Sequence, residues 1–197
     1  MLLITLALSI IMVAPGDIVI TEIMYNPDGP TLGEDDLFEW VELCNRGAEP
    51  IQLEGMMLSD GGNQLFLGSF ILEPMTRAIV PAKASSFNAA YGSGITVIPW
   101  DGIWTKLSNS ADMLLLYSAS GGVLDEIAYF DTWGVDEDIS SRSPADGTGS
   151  SLEKIDIGGE NTESNWAPSV DYANPSADPD TGDPVSWGTP GEVNSVE

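Results

Sequence analysis

Apolar and polar residues alternate along two stretches near the start of the chain. Residues 18–27 read IVITEIMYNP, and residues 38–45 read FEWVELCN. Each run is expected to place apolar side chains on one face and polar side chains on the other, with the period of two that is typical of a half-buried β-strand. A turn-rich segment, 27–33, lies between the two runs. The sequence therefore predicts two strands joined by a long loop.

Short apolar runs separated by Gly, Asn and Pro continue to residue 156. They predict further strands at 49–58, 64–70, 76–81, 95–100, 105–107, 112–117, 123–129 and 151–156. The Gly-rich loop 118–122 predicts a hairpin, and apolar residues at helical spacing predict one helical turn at 83–91. About nine short strands with frequent turns predict an all-β sandwich or barrel. No helical stretch is long enough for the crossovers of a parallel sheet.

The first sixteen residues differ from the rest of the chain. Residues 2–13 form an apolar run that is too short to span a bilayer. Small residues follow at 14 and 16, so 1–16 is predicted to be a secretory signal peptide that is cut before Asp17. No Lys or Arg precedes the run, and the alternative is a first core strand. No second long apolar segment follows, so the mature chain is predicted to lack a membrane span and to be secreted, extracellular or at the cell surface.

The chain is strongly acidic. Its 31 Asp and Glu residues outnumber six Lys and Arg, and the formal net charge is −25. This charge disfavours binding to nucleic acid and to anionic membrane surfaces, because like charges repel. The same negative charge favours solubility and the binding of cations. Hydrophobic residues make up 43% of the chain, which is enough to form a core.

The chain has no histidine. This excludes Ser-His-Asp and Cys-His catalytic groups, His-ligated zinc and imidazole base catalysis. Cys44 is the one cysteine, so no intramolecular disulfide can form. We expect Cys44 to be a small buried apolar residue, with intermolecular pairing as the alternative.

The composition changes at Gly158, where Pro, Asp, Asn, Ser and Gly begin to dominate. Such a segment alone lacks the apolar density to pack. However, Trp166 and Trp187 are large aromatic residues that usually find a place to bury. We therefore predict that 158–197 wraps around a β-sandwich formed by 17–157, rather than forming a disordered linker.

Two acid-rich loops are candidate calcium sites, because calcium prefers six to eight oxygen ligands from carboxylates and loop carbonyls. The tail run 178–183 partly resembles a calcium-loop motif but lacks its third acid before Gly and its distant Glu. The alternative for both loops is a solvated acidic surface. The candidate ligands are Asp28, Glu34, Asp35, Asp36, Asp178, Asp180 and Asp183.

A hydrolase mechanism is a remote alternative. Glycosidases use two carboxylates about 5–10 Å apart in a cleft that binds sugar. Trp100, Trp104 and Trp133 could line such a cleft. With 31 acids, however, some pair at that separation is almost inevitable, so the pattern is not specific.

Six motifs in order resemble the lamin tail domain family. They are the opening EIMYNP with EWVELCN, then LEGMMLSD at 53–60, LSNSADMLLL at 107–116, VLDEIAY at 123–129, SLEK at 151–154 with NW at 165–166, and GTPG at 188–191 with Asn194. The resemblance implies an immunoglobulin-like β-sandwich. It also implies a non-catalytic module like those that mediate interactions in secreted bacterial proteins. The chain has no heptad repeat, so the filament role of eukaryotic lamins does not carry over.

The predicted function is therefore a secreted interaction or surface-assembly module that is not an enzyme, with an unidentified protein or cell-surface partner. The alternative is a calcium-dependent or carbohydrate-binding module. No cofactor is predicted apart from calcium at the acid-rich loops.

Overall fold

The computed structural model describes residues 13–135, 142–170 and 188–197. This part of the chain contains twelve β-strands and two short α-helices. In chain order they are β1 (Ile18–Met24), α1 (Gly29–Leu32), β2 (Trp40–Asn45), β3 (Ile51–Gln52), β4 (Met57–Ser59), β5 (Gln64–Leu67), β6 (Ile71–Leu72), β7 (Arg77–Pro81), α2 (Ala84–Tyr91), β8 (Trp100–Gly102), β9 (Ala111–Tyr117), β10 (Val123–Phe130), β11 (Leu152–Lys154) and β12 (Trp166–Pro168). Single 3₁₀ turns lie at Asp35–Leu37 and Glu163–Asn165.

Two five-stranded antiparallel sheets form the two layers. The first sheet has the order β12-β11-β1-β2-β7, and the second sheet has the order β10-β9-β4-β5-β8. The strands β3 and β6 form a small separate pair. The predicted all-β sandwich is confirmed. No helix in the described ranges is long and apolar enough to cross a membrane.

The core lies between the inner faces of the two sheets. On the first sheet Ile20 pairs with Leu43 across β1 and β2, and both side chains are fully buried. On the second sheet Leu114 and Leu116 alternate with outward-facing residues of β9 and are also fully buried. Each such side chain stabilises the fold by about 1.5–3 kcal/mol through removal of apolar surface from water.

A β-bulge interrupts β1 at Thr21. Ile20 is paired with Leu43 and Glu22 with Glu42, so one extra residue stands in β1 at this point. The bulge restores the apolar alternation, because Ile23 then faces the core while Glu22 faces outward. It also leaves the Thr21 carbonyl free to accept a hydrogen bond from outside the sheet.

The helix α2 covers one end of the outer face of the first sheet. The predicted helical segment 83–91 is confirmed, and Gly92 ends it with φ of +88°. The Trp40 ring meets the rings of Phe87 and Tyr91 edge-on, with centroids 5.9 and 5.7 Å apart. The buried members of this second apolar cluster are Met24, Trp40, Ile79, Phe87, Ala90 and Tyr91.

Four predicted strands differ in the structure. In the segment 95–100 only Trp100 lies in a strand, at the start of β8, because Val97 makes no more than an isolated bridge to Ile79. The strand predicted at 64–70 ends at Leu67, where the Gly68 N–H donates to the Pro99 carbonyl (2.7 Å).

The segment 49–58 is divided into β3 and β4, because Gly55 turns the chain with φ of +81°. The segment 105–107 is not a strand. Its backbone N–H at Leu107 donates to the carboxylate of Glu39 (3.1 Å) instead of to a neighbouring strand. The predicted hairpin at 118–122 is confirmed between β9 and β10.

The sheet edges within the described residues are covered or interrupted. Beside β7, Ile79 exchanges backbone hydrogen bonds of 2.9 and 2.7 Å with the segment 96–98. Beside β10, the Glu126 carbonyl accepts a hydrogen bond from the Asn161 side chain (2.8 Å). At the other edges, β12 ends in Pro168 and β8 has only three residues.

The chain continues the first sheet beyond residue 157. Trp166 is the first residue of β12, which pairs with β11. Only 2% of the surface of Trp166 is exposed. Residues 188–197 then lie on the outer face of the first sheet, while Trp187 falls outside the described residues. Of the predicted signal peptide, only 13–16 is described: Val13 packs against the core, and the Gly16 N–H donates to the Leu124 carbonyl (3.2 Å).

Candidate functional site

Three glutamates form a row across the outer face of the first sheet. Glu22 on β1 lies directly opposite Glu153 on β11 and Glu42 on β2. None of the three has any exposed surface. Because a carboxylate is costly to bury without donors or a proton, the surroundings of this row decide how the fold tolerates it. We call it the glutamate row.

The C-terminal segment 188–197, which we call the strap, covers the glutamate row. Thr189 donates its N–H to Glu22 Oε1 and its hydroxyl to Glu153 Oε1, each at 2.9 Å. The N–H of Gly191 donates to Glu42 Oε2 at 2.7 Å. The strap therefore supplies at least one hydrogen-bond donor to each of the three carboxyl groups.

The sheet itself supplies further donors. Ser151 donates its hydroxyl to Glu22 (2.5 Å), and Thr21 donates its hydroxyl to Glu42 (2.7 Å). Arg77 is the cation beside the row, with its Nε 3.5 Å from Glu42 Oε1, and it also pairs with Glu197 of the strap. One guanidinium cannot neutralise three adjacent carboxylates, so the row must also retain protons.

Two strap residues fix its position. The Asn194 side-chain amide donates to the carbonyl of Thr21 (2.7 Å), which the bulge leaves free, and to the carbonyl of Lys154 (3.0 Å). It thereby bridges β1 and β11. At Gly188 an added Cβ would lie 2.8 Å from Glu22 Oε1 and 3.0 Å from Ser151 Oγ. Only glycine lets the strap approach the row this closely.

The glutamate row holds protons near neutral pH. Burial raises the pKa of Glu22 well above its ordinary value, and the negative charges of Glu42 and Glu153 raise it further. Burial likewise raises the pKa of Glu42 to about 8. The Thr189 hydroxyl lies 2.9 Å from Glu153 and 3.5 Å from Glu22 but has one proton to donate. If Glu22 is protonated, its own proton can be donated to the Thr189 hydroxyl oxygen across the 3.5 Å contact.

The first acid-rich loop does not gather its four candidate ligands around one point. Asp36 forms an ion pair with Lys106, and Asp35 accepts a hydrogen bond from Asn109 (2.7 Å). Asp28 is half-buried before α1, whereas Glu34 is exposed. Within 13–135, 142–170 and 188–197, no group of three or more acidic or Cys side chains is placed to hold a metal ion.

The second predicted calcium loop, with Asp178, Asp180 and Asp183, lies outside the described residues. Calcium binding at either loop stays a prediction.

Calcium at the first loop would have to displace the present partners of Asp35 and Asp36, so we expect any calcium-dependent rise of the thermal unfolding temperature to come from the tail loop. A ligand that binds only the folded state would raise this temperature. The measurement is a thermal melt with calcium or with EDTA, on the wild type and on the variants Asp36→Asn and Asp180→Asn. A calcium-dependent rise that Asp36→Asn abolishes would contradict the expectation, and a rise that only Asp180→Asn abolishes would place calcium in the tail.

The three tryptophans proposed for a sugar cleft have other roles. Trp133 belongs to the core, with 5% of its surface exposed. Trp100 donates its indole N–H to the Pro81 carbonyl, and Trp104 donates to the carboxylate of Glu39 (2.6 Å). Burial raises the pKa of Glu39 to about 7, yet only 2% of the residue is exposed. These residues do not form an open cleft around paired carboxylates.

Cys44 is fully buried on β2. Burial raises the pKa of its thiol to about 11. Because the thiolate is the nucleophilic form, this cysteine is inert at neutral pH.

The outer face of the second sheet carries apolar side chains with substantial exposure. Phe66, Met113 and Val123 are 45%, 38% and 43% exposed. Alternation and register place them with three other residues on the side of the sheet away from the core. We call this surface the bare face, and it consists of Met57, Phe66, Met113, Leu115, Tyr117 and Val123. Leu115 is its buried member, with 9% of its surface exposed, and Met57 and Tyr117 are half-buried.

Comparison with known protein families gives one match. The family model described as Lamin Tail Domain matches residues 12–131. The match covers β1 to β10, including Glu22, Glu42 and the whole bare face, whereas Glu153 and the strap lie beyond it. A comparison with curated proteins found no match.

Proposed function

This chain belongs to the lamin tail domain family, whose members are immunoglobulin-like, non-enzymatic interaction domains, and we propose that it acts as a secreted interaction or surface-assembly module. One observation carries the proposal. Glu22, Ser151 and Thr189, polar residues of three of the family-like motifs, hydrogen-bond one another between the first sheet and the strap rather than lining an open pocket. These residues serve the fold, so the function resides on the outer surface.

The chemistry of the chain supports a role without catalysis. It has no histidine, its cysteine is buried, and Glu22, Glu42 and Glu39 are at most 2% exposed. A general acid or base must come within hydrogen-bond reach of its substrate. Buried carboxyl groups that already have internal partners do not meet that condition.

Secretion is proposed from the apolar run at 2–13 and the small residues at 14 and 16. The exported protein would begin at Asp17. Mass spectrometry of protein recovered outside the producing cells tests this directly. An N-terminus at Met1 in the exported protein would contradict the cut.

Binding and turnover assays test the function. The purified protein is expected to bind the surface of the cells that produce it and to cleave no ester or glycan substrate. A glycan array tests the carbohydrate-binding alternative in the same preparation. Turnover that persists through repurification and is lost in Glu39→Gln would contradict the proposal, as would absence of any cell-surface binding.

A further inference from the structure

The outer faces of the two sheets differ sharply. The first sheet is covered by α2 at one end and by the strap at the other. Over the second sheet, the part of the chain that the structure describes places no helix or strand. The largest contiguous apolar patch on the surface of a protein is often a binding site. The bare face is therefore the strongest candidate for a docking surface.

The bare face is continuous from strand to strand. Val123, Tyr117, Met57 and Phe66 lie directly opposite one another on β10, β9, β4 and β5. Three inter-strand spacings give this row a length of about 14 Å. Leu115 and Met113 extend it along β9, on the same side of the sheet. A short protein segment fits a strip of this size.

The charges around the bare face all have one sign. Asp101 stands opposite Phe66 at one end of the row, the exposed Glu126 lies opposite Leu115, and Asp60 follows β4. None of the five strands of the second sheet contains a Lys or Arg. The six basic residues of the chain lie outside these five strands, at Arg46, Arg77, Lys83, Lys106, Arg142 and Lys154.

These charges identify the kind of partner. Two copies of this chain facing each other would bring their acidic borders together, and each copy carries a net charge of −25. Like charges in contact oppose association, whereas opposite charges favour it and guide the encounter. A second copy is therefore disfavoured as the occupant, and a basic one is favoured.

We propose that the bare face binds a basic protein segment, with apolar side chains at its centre and Lys or Arg at its borders. This inference rests on the proposed interaction function and specifies its surface and its partner. The apolar centre supplies most of the affinity, while Asp101, Glu126 and Asp60 select for positive charge. Binding weakens as salt concentration rises, since surface charges are screened.

The probe is a synthetic amphipathic peptide of Leu and Lys, compared with one that has Glu in place of Lys and one that has Ser in place of Leu. Amide NMR shifts report the location of binding, and titration reports the affinity. The variant Phe66→Ser with Met113→Ser removes the apolar centre. Its matched control is Ile71→Ser with Met75→Ser, which changes residues that are 54% and 61% exposed outside the bare face.

The Leu-Lys peptide is expected to shift the amide NMR resonances of β4, β5 and β9. The other two peptides are expected to leave them unchanged. The bare-face variant should bind at least about tenfold more weakly, whereas the control should match the wild type. Asp101→Lys with Glu126→Lys should also weaken binding without disturbing packing. Thermal melts establish that each variant is folded.

Equal binding by the wild type and both bare-face variants would overturn the proposal, because the affinity would then come from net charge alone. Dimerisation that the Phe66→Ser and Met113→Ser variant abolishes would also overturn it, since a second copy would be the occupant. If that variant still binds the producing cells as the wild type does, the bare face is rejected while the interaction function stands. Loss of cell binding by every form rejects the function itself.

Discussion

Deletion of residues 188–197 is expected to lower the free energy of unfolding by about 3 kcal/mol near pH 5. The deletion removes the N–H and hydroxyl donors of Thr189, the N–H of Gly191 and the Asn194 amide that bridges β1 and β11. Each such hydrogen bond contributes about 0.5–1.5 kcal/mol. Near pH 8 the loss should be smaller, because water then hydrates the uncovered carboxylates. Chemical denaturation at both pH values measures the difference.

A single substitution can keep the strap in the chain while preventing it from packing on the glutamate row. Gly188→Val should approach the deletion in effect, since even a Cβ would lie 2.8 Å from Glu22. Val193→Ala is the matched control, because this strap residue is 59% exposed. If the deletion variant unfolds at the same temperature as the full chain, the strap does not stabilise the domain.

The free energy of unfolding is expected to fall as the pH rises from about 5 to about 8. The folded-state pKa of Glu42, about 8, lies above its ordinary value of 4.5, and that of Glu22 is also raised. In this interval the unfolded chain has released protons that the folded chain retains, so stability is greatest at low pH and is lost as the pH approaches the folded pKa. Each retained proton contributes a slope of about 1.4 kcal/mol per pH unit.

Glu42→Gln tests the source of this slope, because glutamine is close in shape and does not titrate. The variant starts from a different stability, but its slope of stability against pH should be smaller by up to about 1.4 kcal/mol per pH unit, the contribution of one proton. The slope that remains comes from Glu22 and from Glu39, whose pKa is about 7. The control Glu126→Gln changes an exposed acid and should leave the slope unaltered. A stability that stays constant or increases between these pH values would show that the row is ionised.

The alternating pattern predicted the layers of the fold but not what covers them. The runs 18–27 and 38–45 became β1 and β2, and the loop 118–122 became the hairpin between β9 and β10. A period of two identifies which residues face outward. It cannot tell whether an outward residue meets water, as Glu126 does, or is covered by a distant segment, as Glu22 is.

The glutamate row escaped prediction for the same reason. Glu22, Glu42 and Glu153 each occupy an outward position of a different strand and become neighbours only when the strands pair in register. Conversely, Asp35 and Asp36 are adjacent in sequence but have separate partners, Asn109 and Lys106. Proximity along the chain was therefore a poor guide to proximity in space. The available signal was the recurrence of isolated acids in apolar strands, together with hydroxyl-rich motifs near residues 151 and 189.

The covered sheet edges have a consequence for how the protein behaves when it is concentrated. An open edge offers unpaired N–H and carbonyl groups on which another chain can add a strand, which is a common first step toward fibrils. Here the backbone of 96–98 is hydrogen-bonded along the edge of β7, and the Asn161 side chain donates a hydrogen bond to a carbonyl of β10. Pro168, which has no N–H to donate, ends β12. Crowded molecules can therefore meet through the side chains of their faces while their backbones resist merging into a continuous sheet.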